Sequence, residues 1–286
     1  MNTASSQPGR LAALVLATGL LVAGCSSKDN GGAVGGGKSP TSAAHDITAQ
    51  GAALKTVSPG KLTVCSDIPY APFEYEDNGV LKGIDVDIMK AIGGRLGLPV
   101  EFKDTDFDAI FAALAAGKCD VIASSVSITE KRKQDNDFSD PYFDIVQSLA
   151  VRKADAAKYP DLPGLKGKLI GVQSSTTGAD YAKAKGAPLG VQIKEFTGAD
   201  EMFTALKAGQ IEAILQDFPV NQYNAQSGET VVVKRFTEQK ESYGIVIPKN
   251  KPDLKKAIND SLARIKADDT YPTILKTYLG DSATQS

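Results

Sequence analysis

The sequence has no tryptophan, one histidine (His45) and only three cysteines among 286 residues, and its charges nearly cancel at a net −2. Each shortage removes a class of function. A single histidine in a Gly/Ser-rich stretch leaves no Ser-His-Asp or Cys-His pair for acyl transfer and no His-rich set of metal ligands. A near-neutral balance offers no basic stripe for nucleic acid or for anionic lipid headgroups. Long apolar runs are also scarce. The one near the start, Leu11–Ala23, is interrupted by Thr18 and Gly19 and is shorter than a standard membrane span.

That run follows Arg10 and ends in Val22-Ala23-Gly24-Cys25. It resembles a bacterial lipoprotein signal, in which small residues precede a cysteine that is lipidated and becomes the mature N-terminus. Residues 1–24 are therefore expected to be a signal peptide. Residues 25–57, rich in Gly, Ser, Ala and Lys without apolar periodicity, are expected to be a lipidated Cys25 and a flexible tether. An acyl anchor plus a tether holds a protein on a membrane's outer face without spanning it. Within the tether, Gly32–Ser39 (GAVGGGKS) satisfies the phosphate-binding P-loop pattern. It has no strand before it and Pro40 directly after, so no nucleotide cofactor is expected.

The remaining ~230 residues are enough for two lobes of about 100 each. A doubled pattern supports that division. Asp108–Ser124 (DAIFAALAAGKCDVIAS) and Asp200–Gln216 (DEMFTALKAGQIEAILQ) share Asp, Phe, Ala, Leu, Ala, Gly and Ile in register. Each predicts a helix, a glycine in the left-handed cap (Gly117, Gly209) and a short buried strand. Both end in polar residues, Ser124-Ser125 and Gln216-Asp217, at strand ends where ligands of open α/β sheets sit. Before the first copy, Lys61–Ser66 and Pro99–Lys103 predict strands flanking a helix through Ile84, Ile88, Met89, Ile92 and Leu96. Thr129 predicts a helix N-cap, and Ile145–Arg152 an extended segment. Around the second copy, Lys168–Val172, Val191–Glu195 and Val231–Val233 predict strands. Phe218–Gln226, Lys255–Lys266 and Thr270–Leu279 predict helices, with Ser242–Pro248 extended. This order predicts an α/β fold with mostly parallel sheets flanked by helices. Extended linkers at Val151–Lys153 and Ser242–Ile245 would carry the chain across and back. The lobes would then be 58–150 with 245–286, and 151–244. Cys65 and Cys119, expected near opposite strand ends, predict two buried thiols rather than a bridge.

Three stretches carry a family resemblance: Asp67-Ile68-Pro69-Tyr70-Ala71-Pro72-Phe73-Glu74, Gly83-Ile84-Asp85-Val86-Asp87, and Ser124-Ser125-Val126-Ser127-Ile128-Thr129-Glu130-Lys131-Arg132. With Phe138–Tyr142 and Asp269-Thr270-Tyr271, they resemble the polar amino-acid-binding proteins of bacterial ABC importers, in order from about residue 60 to 280. The resemblance implies a periplasmic-binding-protein-like fold whose two lobes, joined by two extended hinge strands, close on one small molecule. It implies that Arg132 grips the ligand α-carboxylate, helped by Thr176 and Thr177, since only arginine offers a planar fork of donors. Asp217, helped by Ser125 and Ser127, would take the α-ammonium; Ser124 belongs to the same wall. Tyr70 and Phe107 would sandwich the ligand side chain, and Asp67 would meet its far end. Gln173 and Gln216 would reach the cleft.

Charge arithmetic narrows the ligand. Arg132 and Asp217 cancel the two backbone charges of an amino acid, leaving Asp67, and a buried unpaired carboxylate is costly. A cationic amino acid or glutamine is expected, glutamate and aspartate are not. No metal or other cofactor is expected. The implied partners are the amino acid, an importer permease and, through the lipid, the outer face of the cytoplasmic membrane; a monomer without nucleic-acid partners is expected. Two other readings stay open at this stage, a ligand-sensing lipoprotein receptor and a cyclohexadienyl-type dehydratase on the same scaffold.

Overall fold

A computed structural model describes residues 48–280. The expected signal peptide, Cys25, most of the tether and the P-loop-like stretch lie outside the described residues. Among those described, no helix is long and apolar enough to cross a membrane.

The fold begins with β1 (Leu62–Ser66), buried along its whole length as a strand covered on both faces must be. A loop and the hairpin β2 (Tyr75–Asp77)–β3 (Val80–Lys82) lead to α1 (Ile84–Leu96), whose apolar stripe Ile84, Ile88, Met89, Ile92 and Leu96 is buried. Then follow β4 (Val100–Asp104), α2 (Phe107–Ala115), β5 (Val121–Ile122), α3 (Glu130–Asp135) and β6 (Asn136–Phe138). The chain continues through β7 (Phe143–Arg152), β8 (Leu169–Gln173), α4 (Thr177–Tyr181), β9 (Gln192–Phe196), α5 (Ala199–Lys207), β10 (Ala213–Asp217), α6 (Phe218–Ala225) and β11 (Thr230–Tyr243). It ends in β12 (Val246–Pro248), α7 (Pro252–Ala267) and α8 (Thr270–Leu279).

Two five-stranded sheets result, ordered β4-β1-β5-β12-β6 and β11-β7-β10-β8-β9. In each, three consecutive strands are parallel (β4-β1-β5 and β10-β8-β9) and antiparallel strands extend them. The sheets are therefore mixed, with the expected parallel part as three of the five strands in each. The two repeated stretches occupy equivalent places: α2 to β5 in the first sheet, α5 to β10 in the second. Gly117 (φ 67°) and Gly209 (φ 72°) take the left-handed conformation just past their helices, as the repeat requires.

Two segments cross between the sheets and lie side by side. Tyr142 N–H donates to the Tyr243 carbonyl, Ser139 N–H to that of Ile245, and Ser127 bridges Tyr243. Because Phe143–Arg152 pairs wholly within the second sheet, the first crossing lies before Phe143 and not at Val151–Lys153 as expected. β11 is also far longer than Val231–Val233. Its outer half, KRFTEQKE, is charged because it forms a sheet edge, and it carries two irregularities in register, both devices that blunt an edge.

Two further expectations are corrected. Residues 48–53 form a helical turn rather than tether. It docks through Thr48 Oγ1 to the Arg95 carbonyl (3.2 Å) and Gln50 Nε2 to Asp260 (3.2 Å), polar contacts that leave no apolar periodicity to read. Cys65 and Cys119 are disulfide-bonded, with Cα atoms 5.7 Å apart. The expectation of distant strand ends failed because Cys119 lies outside β5, in the turn that folds back beside β1. There Asp120 accepts from Thr63 N–H (2.8 Å) and Val57 N–H (2.7 Å).

Candidate functional site

The parallel strands of both sheets end at one small cavity. It is lined by Asp67, Tyr70, Phe107, Ser124, Ser125, Ser127 and Arg132 from the first sheet's side and by Gln173, Thr176, Thr177 and Asp217 from the second. Asp67 directly follows β1 and Ser124 follows β5; Gln173 ends β8, and Asp217 ends β10. The structure thus gathers at one place eleven of the twelve residues singled out in the sequence for the cleft. Gln216 does not line it: alternation along β10 turns its side chain to the opposite face from Asp217, into the interior.

Arg132 stands in the first turn of α3. The Thr129 side chain caps that helix by accepting from Arg132 N–H (3.1 Å). The guanidinium donates through Nη1 to the Ser127 carbonyl (2.8 Å) and through Nη2 to the Ser175 carbonyl on the opposite wall (3.2 Å). Among the described residues no carboxylate lies within 4 Å of it. Burial lowers its affinity for the proton, and the charges of Glu241, Asp217 and Asp180 oppose that shift. On the facing wall Thr176 caps α4 by accepting from Ala179 N–H (3.1 Å), and Thr177 Oγ1 lies 3.5 Å from Ser127 Oγ.

Asp217 is buried with no cation beside it. Its carboxylate accepts from Tyr70 Oη (2.8 Å), Tyr243 Oη (2.5 Å) and Gln147 Nε2 (2.6 Å). Burial, reinforced by the charge of Glu241, pushes its pKa up to about 6 against those three bonds. Asp67 is also pushed up to about 6, first by burial, with Asp104 and Asp106 adding repulsion. The Gln173 amide (2.6 Å) and the Phe107 N–H restrain it. Asp67 therefore has two neutral donors, and the corner around it is acidic.

Beneath the serines lies a second acidic pair. Ser124 Oγ donates to Glu74 (2.7 Å) and accepts from Asp67 N–H (2.9 Å), while Asp85 accepts from Ser125 N–H (2.6 Å) and Tyr142 Oη (2.8 Å). Burial raises both carboxyls, Asp85 to about 7. These groups fix the wall from behind and do not face the cavity.

Several contributors escaped the sequence reading: Gln147 on β7, Glu241 and Tyr243 on β11, and Phe111 beside Arg132. Gln147-Ser148 inside the apolar run Ile145–Arg152 was a visible signal, since a buried amide in a strand needs a polar partner. That partner is Asp217, set opposite Gln147 by the β7–β10 register.

Residues 62–281 match the family of bacterial extracellular solute-binding proteins, family 3, and the chain belongs to that family. It is 32% identical over 231 residues to the histidine-binding periplasmic protein of Salmonella typhimurium, covering 77% of this chain and 88% of that protein. An ancestral arginine-binding protein solved with arginine bound is 37% identical, with a TM-score of 0.73, covering 77% of this chain and 99% of that one. An ancestral amino acid-binding protein described as a precursor of cyclohexadienyl dehydratase is 36% identical, with a TM-score of 0.72, covering 77% and 95%. The fold is thus periplasmic-binding-protein-like.

Proposed function

We propose that this protein binds a polar amino acid in the cleft and delivers it to an ABC importer, held at the outer face of the cytoplasmic membrane by a lipid on Cys25. The observation that carries this reading is the opposition of Arg132, half-buried, and Asp217, buried, across one small cavity, neither with a counter-ion beside it. An α-carboxylate pairs with the guanidinium and an α-ammonium with the aspartate, so a zwitterion satisfies both walls at once. The acidic corner at Asp67, with Asp104 and Asp106 behind it, favours a guanidinium or ammonium at the ligand's far end. An amide is second best and a carboxylate is excluded, consistent with the arginine and histidine named for the relatives. Every cavity residue has a binding role, and the protein is proposed to be a carrier, not an enzyme.

Calorimetric titration with the twenty amino acids tests this. Arginine, lysine, ornithine, histidine or glutamine should bind in the micromolar range or tighter. Micromolar binding of glutamate with no response to arginine or glutamine would overturn it. The likeness to a dehydratase precursor supports a second reading, turnover of a cyclohexadienyl acid, and an absorbance assay of the purified protein decides it. A receptor role is separated from transport by whether deleting the protein abolishes amino-acid uptake.

A further inference from the structure

Arg132 is held by more than its hydrogen bonds. Its Cζ lies 5.5 Å from the ring centroid of Phe107 and 5.4 Å from that of Phe111. The two rings, one helical turn apart on α2, are 6.2 Å apart and nearly perpendicular (85°). Two aromatic surfaces at right angles box the guanidinium on two sides, and its two carbonyl acceptors, Ser127 and Ser175, fix it within that box. Phe107 lines the cavity and meets any ligand directly; Phe111 does not. We infer that Phe111 is a positioning residue for ligand binding, holding the Arg132 guanidinium by a cation–π contact in the plane that receives the ligand carboxylate.

Physical reasons favour this over simple packing. A guanidinium that is partly desolvated and has no carboxylate partner gains from an aromatic face what it loses in hydration. The arginine fork has five N–H donors, and its two acceptors, the Ser127 and Ser175 carbonyls, leave donors for a bidentate carboxylate only if the plane is held at a fixed tilt. An aliphatic side chain at position 111 would fill similar space without supplying the quadrupole. The inference rests on the amino-acid reading of the cleft, so its test needs one readout that involves no ligand.

Three forms of the full chain are compared, the wild type, Phe111→Leu and Phe111→Tyr, by calorimetry with L-arginine and by NMR of the Arg132 side-chain Nε–H. Phe111→Leu should weaken arginine binding about three- to tenfold, and Phe111→Tyr should stay within about twofold of wild type. The Arg132 Nε–H signal should carry a ring-current shift in the wild type and the tyrosine variant and change in the leucine variant. Equal affinity in all three forms overturns the inference, as does a loss in Phe111→Tyr as large as in Phe111→Leu, which would mean a packing role. If the wild type binds no arginine, the cationic-ligand reading fails, and the NMR signal alone still decides whether Phe111 holds the guanidinium.

Discussion

Arg132 and Asp217 place opposite demands on the protein that holds them. Each is desolvated without a counter-ion, a condition that persists in a folded protein only where something else compensates. Carbonyls and two aromatic rings do so for Arg132; two tyrosines and Gln147 do so for Asp217. Replacing Arg132 with alanine should therefore reduce amino-acid affinity by at least ~100-fold while leaving the melting temperature near wild type, because on the proposed reading its ionic partner is the ligand. Calorimetry and thermal denaturation measure both; retained affinity would displace the carboxylate site from α3.

The two carboxyls also fix the pH response. Asp67 and Asp217, raised to about 6 in the folded protein, keep their protons where an unfolded chain has already lost them. Their contribution to stability is thus fully present below about pH 4 and lost as pH rises through about 6. A cationic ligand needs them ionised, so its affinity should rise over the same range. Binding at pH 5 should be about tenfold weaker than at pH 8 for each of these carboxylates the ligand meets, with proton release on binding near pH 6. Asp217→Asn should abolish its share of that dependence. The cavity residues were legible in the sequence chiefly through the family resemblance, with Asp67, Gln173 and Asp217 also at or beside strand ends and Thr177 at a helix start. Gln147 and Glu241 were not, since their contacts join positions 70 and 94 residues apart through strand register that local pattern does not encode.

At the level of elements, the repeated helix–glycine–strand unit is what the sequence shows best: propensity, cap and burial agree in both copies. Failures cluster where tertiary context overrules local pattern. The charged outer half of β11 pairs despite its composition, as the edge of a sheet whose interior strands are apolar. The disulfide formed because a turn, not a strand, presents Cys119 to β1. It closes a loop 54 residues long that contains β4 and α2. By the chain-entropy account such a loop is worth about 4 kcal/mol. The Cys65→Ala/Cys119→Ala double variant should lose stability of that order in urea denaturation. A change below about 1 kcal/mol would show that the bridge only decorates contacts already sufficient.

For the whole molecule, fold and chemistry divide differently. The two sheets repeat one plan, but the walls they present differ in charge: the first sheet's side presents Arg132 and the acidic corner at Asp67, the second Asp217, which on the proposed reading would meet an α-carboxylate and an α-ammonium. Four contacts already span the walls: Arg132 to Ser175, Ser127 to Thr177, Gln173 to Asp67, and Tyr70 to Asp217. A bound amino acid would add its own charges to these links and hold the two sides together. A crystal structure with L-arginine tests this most directly. The account predicts the α-carboxylate about 3 Å from the Arg132 guanidinium, the α-ammonium about 3 Å from Asp217, and the side-chain guanidinium toward Asp67. Arginine bound elsewhere, or in the cleft with its carboxylate away from Arg132, would contradict it.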